Sequence, residues 1–363
     1  MNILFTSNIP APYVIDYLNE LSKYCNVTAL FELKTALNRD DKWYGKKNNF
    51  KIVYLNAIRV NAESGLSFGI IKYLKTGYDR IIIANPTTPT GIVALLYCRW
   101  TGINFVIQSE GGFQGCGKGI KEKFKKYIME KADYYLSGMG GSDNDYFLKY
   151  GGTKEKIYWY PFSSLRKKDI DTLIISNTEK EKIRQELDLP MQFIILVVGR
   201  FLDWKGHDTI INVAARFPHI HFCFVGGKPT KEYMDIIDNK KLKNISFRGF
   251  VDQEMLDKYY HAADLFALAT RGDTWGLVIN EAMAKGLPVI TTNRCIAGMH
   301  LIENDVNGYI VNVDDEHEFA EKIRILADNS KKIEEMKNNN IRKIQIYSIE
   351  NMARTIYSII SKY

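Results

Sequence analysis

The sequence predicts an α/β protein built of two tandem, Rossmann-like, doubly wound domains facing a central cleft. Three observations predict it. Short apolar runs alternate with helix-period segments along the whole chain, and they do so in two successive series. The length, 363 residues, suits two domains of roughly 100–200 residues each. Buried strands separated by helices imply parallel sheets covered on both faces.

In the first half "NILFTS", "NVTALF", "KIVYL", "RIIIAN" and "NFVIQS" read as strands. The opening "MNILFTSNIPAP" lacks a basic region followed by a long apolar stretch, so it is expected to be a strand and not a signal peptide. "YPFSSLRKKDIDTLI" leaves the first domain. This sets the expected division at 1–168 and 169–345, with 346–363 a C-terminal helix packing back on the first domain. "SNTEKEKIRQELDLP" then reads as a helix, with Thr178 and Glu181 at capping-box spacing and Pro190 ending the pattern. "FIILVVG", "HFCFVGG", "ISFRG", "LFALAT" and "PVITT" supply the second series of strands, with "HDTIINVAARF" and "EMLDKYYHAA" as helices between them. The tail "IRKIQIYSIENMARTIYSIISKY" reads as one long amphipathic helix, and no repeat or low-complexity segment interrupts the chain.

A composition of 46% hydrophobic and 25% charged residues is that of a globular protein with a real core. A net charge of +7 suits a phosphorylated ligand, an anionic membrane or nucleic acid without choosing among them. Nucleic acid is disfavoured, because there is no RNP-like aromatic motif and no concentrated basic arm. Five scattered cysteines without a CxxC pair argue against disulfides and zinc and for a reducing compartment. No apolar run approaches the ~20 residues of a spanning helix. The expected location is cytoplasmic, at most peripheral on the inner face of the membrane.

The chemistry is sought first in "GDTWGLVINEAMAKGLPVI", where Asp273 and Glu281 flank the start of a short helix. Ligands of open parallel sheets bind beyond the strand C-termini, where helix N-termini point. Free N–H groups around Gly276, Leu277 and Val278 suit a phosphate, and Gly276 lets that backbone approach closely. Glu281, some five residues into the helix, lies roughly 7 Å along its axis, a sensible distance from a phosphate to a ribose. Asp273 then sits on the other side, able to hold hydroxyls of whatever the phosphate carries. The alternative makes Glu281 an exposed helix residue and Asp273 a partner of the helix dipole. "FIILVVGRFLDWKGHDTII" adds Arg200 and Lys205 at the C-terminal end of a strand, two cations that can neutralise a diphosphate.

From about 193 to 313 these elements, in this order, resemble the C-terminal half of a family 4 glycosyltransferase, a retaining enzyme of the GT-B fold. "VGRFLDWKG" is similar to the family's Gly-Arg…Lys-Gly element, Asp273 through Glu281 matches its Glu-x7-Glu motif, and "EAMAKGLPVI" continues it. The resemblance implies that Gly199, Arg200 and Lys205 meet the donor diphosphate, Glu281 the ribose and Asp273 the donor sugar. It also implies that Phe250 and Val251 lie by the base, with Trp275, Gly276, Leu277 and Val278 completing the donor site. Asp273 replaces the family's usual first Glu, one methylene shorter. The implied reaction moves a sugar, with retention, from a UDP- or GDP-sugar to a hydroxyl. The acceptor is expected to be a glycan or lipid-linked glycan of cell-surface polysaccharide synthesis, with no cofactor and no metal. A donor phosphate oxygen on the same face is the family's assistant for deprotonating the acceptor.

The first half resembles the family only in organisation. "VIQSEGGFQGCGKG" carries five glycines after a strand, read either as a mobile loop or as a turn cluster. No histidine precedes His207, and Glu110 stands where many relatives hold one. Glu110 is the candidate proton acceptor; structural hydrogen bonding is the alternative. Ser7 and Asn8 are expected near the same edge. "GKGIKEKFKKYIMEKADYYL" reads as a basic helix whose apolar stripe, Ile120, Phe124 and Ile128, packs on its own domain while its lysines face an anionic membrane. Asp143-Asn144-Asp145 mimics a DxD metal motif but fits the polar start of a helix better, and the histidines show no ligand grouping. Two rivals keep the fold: a nucleotide-sugar epimerase and a non-catalytic nucleotide-sugar-binding subunit. A dehydrogenase is discounted because "VGGKPT" fails the GxGxxG pattern.

Overall fold

The computed structural model describes residues 1–37, 44–45, 47–113, 119–140 and 145–362. The chain divides into two compact units, Met1–Arg166 with Tyr347–Tyr363, and Lys167–Ile346.

Unit 1 contains strands β1 (Asn2–Ser7), β2 (Asn26–Phe31), β3 (Lys51–Tyr54), β4 (Ile58–Arg59), β5 (Gly65–Leu66), β6 (Arg80–Ile83), β7 (Val106–Ser109), β8 (Tyr135–Ser137) and β9 (Ile157–Trp159). Its helices are α1 (Pro12–Leu21), α2 (Ile70–Leu74), α3 (Pro89–Thr101), α4 (Ile120–Met129) and α5 (Asp145–Lys149). Seven strands form a parallel sheet in the order β3-β2-β1-β6-β7-β8-β9, with β4 and β5 a separate antiparallel pair. Leu4, Leu30, Ile83, Ile107 and Tyr135 from its strands pack with Leu95 of α3 and Phe147 of α5 in one core. Strands buried on both faces are apolar nearly throughout, which is why runs such as "RIII" show no alternation.

Unit 2 contains α6 (Asn177–Glu186), β10 (Ile194–Val198), α7 (His207–Ala214), β11 (His221–Val225), α8 (Lys231–Lys240), β12 (Ile245–Arg248), α9 (Gln253–Ala262) and β13 (Leu265–Leu268). It continues with α10 (Leu277–Ala284), β14 (Val289–Thr292), α11 (Ile296–Leu301), β15 (Gly308–Val311), α12 (Glu316–Ala327) and α13 (Ser330–Ile344). Its six-stranded parallel sheet runs β12-β11-β10-β13-β14-β15. The order reverses between β10 and β13, as it does between β1 and β6 in unit 1, and such reversals open a crevice at the strand C-termini.

Three expectations need correction. The capping box of α6 is Ser176 with Glu179, two residues before the expected Thr178–Glu181 pair. Both pairs fit the same spacing; within the helix, Lys180 and Arg184 both reach Asp264, at 2.5 and 2.7 Å. The tail is two helices. After α13 the chain breaks, Ser348 accepts a hydrogen bond from the Asn351 N–H, and α14 (Ile349–Ile360) starts anew against α1 of unit 1. Finally, the apolar stripe of α4 does not pack inward as expected: Ile128 and Met129 are buried, but Ile120 is 86% exposed and Phe124 is also exposed.

Candidate functional site

In unit 2 the two motif loops meet at the β10/β13 reversal. The loop after β10 carries Gly199, Arg200 and Lys205, and the loop after β13 carries Asp273 through Gly276. They are laced together: Trp204 O accepts from Thr270 Oγ1 at 2.9 Å and from the Arg271 N–H at 2.8 Å. Arg271 reinforces the lacing with a two-point pair to Asp208, at 2.6 and 3.1 Å, and a third bond to Asp314 at 2.8 Å. Those carboxylates push its guanidinium pKa further up.

Two glycines are required here. Gly206, at φ +65°, passes so close to β13's end that a Cβ would lie 1.9 Å from the Ala269 carbonyl oxygen. Gly276, at φ +97°, would place a Cβ 2.7 Å from Cys295 Sγ. Gly276 therefore starts α10 with no side-chain cap. The amides of Gly276, Leu277 and Val278 donate to no group among the described residues. That is the electropositive end of a helix, open to an anion.

Lys205 Nζ lies 2.7 Å from Asp273 Oδ2, both side chains largely sheltered, so the cation expected at the donor diphosphate and the acid expected at the donor sugar are paired. Asp273 is held by backbone as well: its N–H donates to Arg294 O at 2.9 Å and its carbonyl accepts from the Ile296 N–H at 3.2 Å. Glu281 is half-buried, contrary to the exposed-residue alternative, and accepts from the Tyr260 hydroxyl at 2.9 Å. Burial and the nearby carboxylate raise the Tyr260 pKa well above its ordinary value, so the phenol keeps its proton and donates it to Glu281. Arg200 is half-buried, and its carbonyl accepts from His207 Nε2 at 3.1 Å. Burial holds the His207 pKa down at about 4, which keeps the ring neutral.

Phe250 is 55% exposed and Val251 half-buried, both just beyond the C-terminal end of β12 on the edge shared with the loop after β10. Leu277 and Val278 are half-buried at the start of α10. Trp275 does not fit its expected donor role. Its ring is 2% exposed, Nε1–H donates to Asn280 Oδ1 at 2.8 Å, its carbonyl accepts from the Ala297 N–H at 2.8 Å, and its own N–H turns to Asp273 Oδ1 at 3.3 Å. It braces the loop from inside.

Glu110, Ser7 and Asn8 belong to unit 1, at the C-terminal ends of β7 and β1. Glu110 is half-buried and accepts from the Tyr13 hydroxyl at 2.7 Å. Ser7 is buried, with Oγ 3.2 Å from Asn8 Oδ1. Most of the glycine run beyond Gly112, and Lys118 with it, lies outside the described residues, as do Asp143 and Asn144; Asp145 opens α5. Among the described residues no group of three or more His, Cys, Asp or Glu side chains is placed to hold a metal. Sequence reasoning missed Tyr260 and Arg271. Tyr260 sits in an ordinary helical core position, and Arg271 had the unexploited signal of standing two residues before Asp273.

Residues 179–343 match the family model described as glycosyl transferases group 1. A lipopolysaccharide core biosynthesis glycosyltransferase, LpsE of Rhizobium meliloti, is 29% identical over 151 residues, covering 40% of this chain and 44% of that protein. Mannosylfructose-phosphate synthase of Agrobacterium fabrum is 32% identical over 133 residues, covering 32% of this chain and 29% of its own. The matched region spans about half or less of these curated relatives. The solved structure of Anabaena HepE in complex with UDP superposes with a TM-score of 0.80 at 18% identity, covering 100% of both chains. Sucrose-phosphate synthase from Thermosynechococcus elongatus gives 0.78 at 19% identity, over 100% of this chain and 98% of that one. Residues 179–343 thus resemble the group 1 glycosyl transferases, in a chain whose two Rossmann-like units have the GT-B fold.

Proposed function

We propose that the protein is a retaining glycosyltransferase that moves a sugar from a UDP- or GDP-sugar to a hydroxyl of a lipid-linked glycan in cell-surface polysaccharide synthesis. One observation carries the reading. The β10/β13 reversal gathers Lys205, Asp273, the open amides of α10 and Glu281 at a single edge of unit 2. In this reading the diphosphate lies against Arg200, Lys205 and the amides of Gly276 to Val278. Glu281, aimed by Tyr260, takes the ribose hydroxyls, and Phe250 and Val251 flank the base. Asp273 turns from Lys205 to the sugar hydroxyls once phosphate satisfies the ammonium.

The bond from the sugar's anomeric carbon to the phosphate oxygen breaks as the acceptor oxygen bonds to that carbon. The acceptor proton passes to the departing diphosphate oxygen on the same face. The growing negative charge meets two cations and a helix N-terminus, so the reading requires no metal.

A peripheral seat on an anionic membrane is part of the same proposal. Trp100 of α3 is 85% exposed, and on α4 Ile120, Phe124 and Tyr127 are exposed together with Lys121, Lys123 and Lys126. The Arg99 guanidinium lies 3.7 Å over the Tyr127 ring and ties the two helices. Apolar side chains ringed by lysines suit the boundary between headgroups and acyl chains.

The test is product analysis by NMR with UDP- and GDP-sugars and a lipid-linked glycan acceptor, with EDTA present. Transfer with the donor's anomeric configuration kept supports the reading. Inversion, or epimerised donor without transfer, contradicts it, and so does donor binding with no turnover.

A further inference from the structure

The other end of unit 2's sheet holds a cavity that the donor site does not use. Its volume is about 310 Å3, and Asn177, Lys180, His261, Lys285 and Lys337 are among its lining residues. Ala263 and Leu287, also in the lining, precede β13 and β14, so the cavity opens at the strand N-termini. The donor residues follow the strand C-termini, about 15 Å away along a strand of this length.

The lining presents three ammonium groups and one carboxylate, Glu334. Lys180 reaches Asp264 at 2.5 Å, but Arg184 shares that carboxylate at 2.7 Å. Lys285 is met by Asp171 at 3.1 Å and Asp257 at 3.7 Å, and Asp171 also takes His261 at 2.7 Å. Lys337, on α13, has no carboxylate within ion-pair distance among the described residues. Burial first, and then the charges of Lys337 and Arg184, bring the Lys180 pKa down to about 8 despite Asp264.

We propose that this cavity is a second ligand site, taking a small phosphate-bearing molecule among Lys180, Lys285 and Lys337. Lysine meets phosphate as a point charge, and the Asn177 amide supplies a neutral donor beside it. The site bears on the donor site through two solid elements. Tyr260 lines the cavity, and its hydroxyl holds Glu281 at 2.9 Å. Helix α10 carries Glu281 in its second half and ends at Ala284, capped by Lys285, which lines the cavity. An occupant therefore sets the aim of Glu281. This coupling rests on the donor reading of Glu281; occupancy of the cavity does not.

The test measures the melting temperature of the full chain with inorganic phosphate against chloride at matched ionic strength, in wild type, Lys337→Glu, Lys337→Gln and Arg200→Ala. Phosphate at about ten times its Kd should raise wild type by roughly 2–5 °C. The rise should persist in Arg200→Ala, vanish in Lys337→Glu and fall by at least half in Lys337→Gln. No phosphate-specific rise overturns the site, as does a rise kept in both Lys337 variants and lost in Arg200→Ala, which puts phosphate at the donor loops. A second readout is the UDP affinity of wild type with and without phosphate. An altered affinity, unaltered in Lys337→Glu, supports the coupling. Absence of binding by both UDP and GDP removes the donor reading while leaving the melting result to decide the cavity.

Discussion

Unit 1 and unit 2 reverse strand order in the same way, yet they fill the reversal with opposite polar content. In unit 1 the buried Glu32 closes it from within, accepting from the Gly65 N–H at 2.8 Å, from the Asn85 amide and from the Thr88 hydroxyl. Thr6 Oγ1 donates to Asn85 Oδ1 at 2.7 Å, which ties β1 into the same network. In unit 2, among the described residues, the amides of Gly276, Leu277 and Val278 donate to no group, and Lys205, 4.4 Å over the Trp204 ring, is paired with a carboxylate that has another proposed task. Similar topology thus makes either a sealed structural network or a receptor for charge. The loop residues decide which.

The largest expected effect breaks this contrast directly. Lys205→Ala should lower kcat/KM by about 10²–10³, the loss of one preorganised partner of the leaving group. Ser7→Ala, at the corresponding edge of unit 1, should change it less than tenfold by steady-state kinetics. Equal losses would erase the distinction between the two reversals.

Acid should separate the units next. His207 has a folded pKa of about 4 against an unfolded value near 6.5, so the folded state binds fewer protons between those values. Its contribution is complete above pH 6.5 and is lost as pH falls towards 4, by about 3 kcal/mol at most. Glu32 runs the other way: burial raises its pKa, so its charged form costs stability that is regained as pH falls. Urea unfolding of His207→Leu from pH 7 to 4 should lose most of unit 2's acid sensitivity. An unchanged slope would show that other groups carry it.

Tyr260→Phe removes one hydrogen bond to Glu281 and should weaken nucleoside diphosphate binding by about tenfold with little loss of stability. Titration calorimetry reads that change, and an unaltered affinity would leave Glu281 aimed by something else. The smallest effect on stability belongs to the apolar edge of unit 1. Trp100→Glu with Ile120→Glu should shift melting by less than about 0.5 kcal/mol and abolish sedimentation with anionic vesicles. Retained vesicle binding would place membrane contact elsewhere.

The sequence made the sheets legible because strands buried on both faces must be apolar, as "IILVV" and "LFAL" are. It made unit 2's loops legible because glycines at 206 and 276 and paired charges answer to one geometry. Helix orientation was not legible. The stripe on α4 has the spacing of a buried face, but which face is covered depends on neighbours far along the chain. Capping-box spacing was ambiguous: Ser176 with Glu179 and Thr178 with Glu181 both satisfy it, and the structure makes the first. The short strands β8, β9 and β15 and the β4–β5 pair escaped notice because two to four residues carry too little pattern. Tyr260 was hidden by its setting, since a polar tip on a core aromatic leaves no mark on periodicity.

The most direct test of the central claim is thermal stabilisation by UDP, GDP, dTDP, CDP and NAD, repeated on Glu281→Gln. Stabilisation by one nucleoside diphosphate, lost in the variant, is the predicted result and names the activated sugars to assay. Stabilisation by NAD alone, or by none of the five, would contradict the donor site at the β10/β13 reversal.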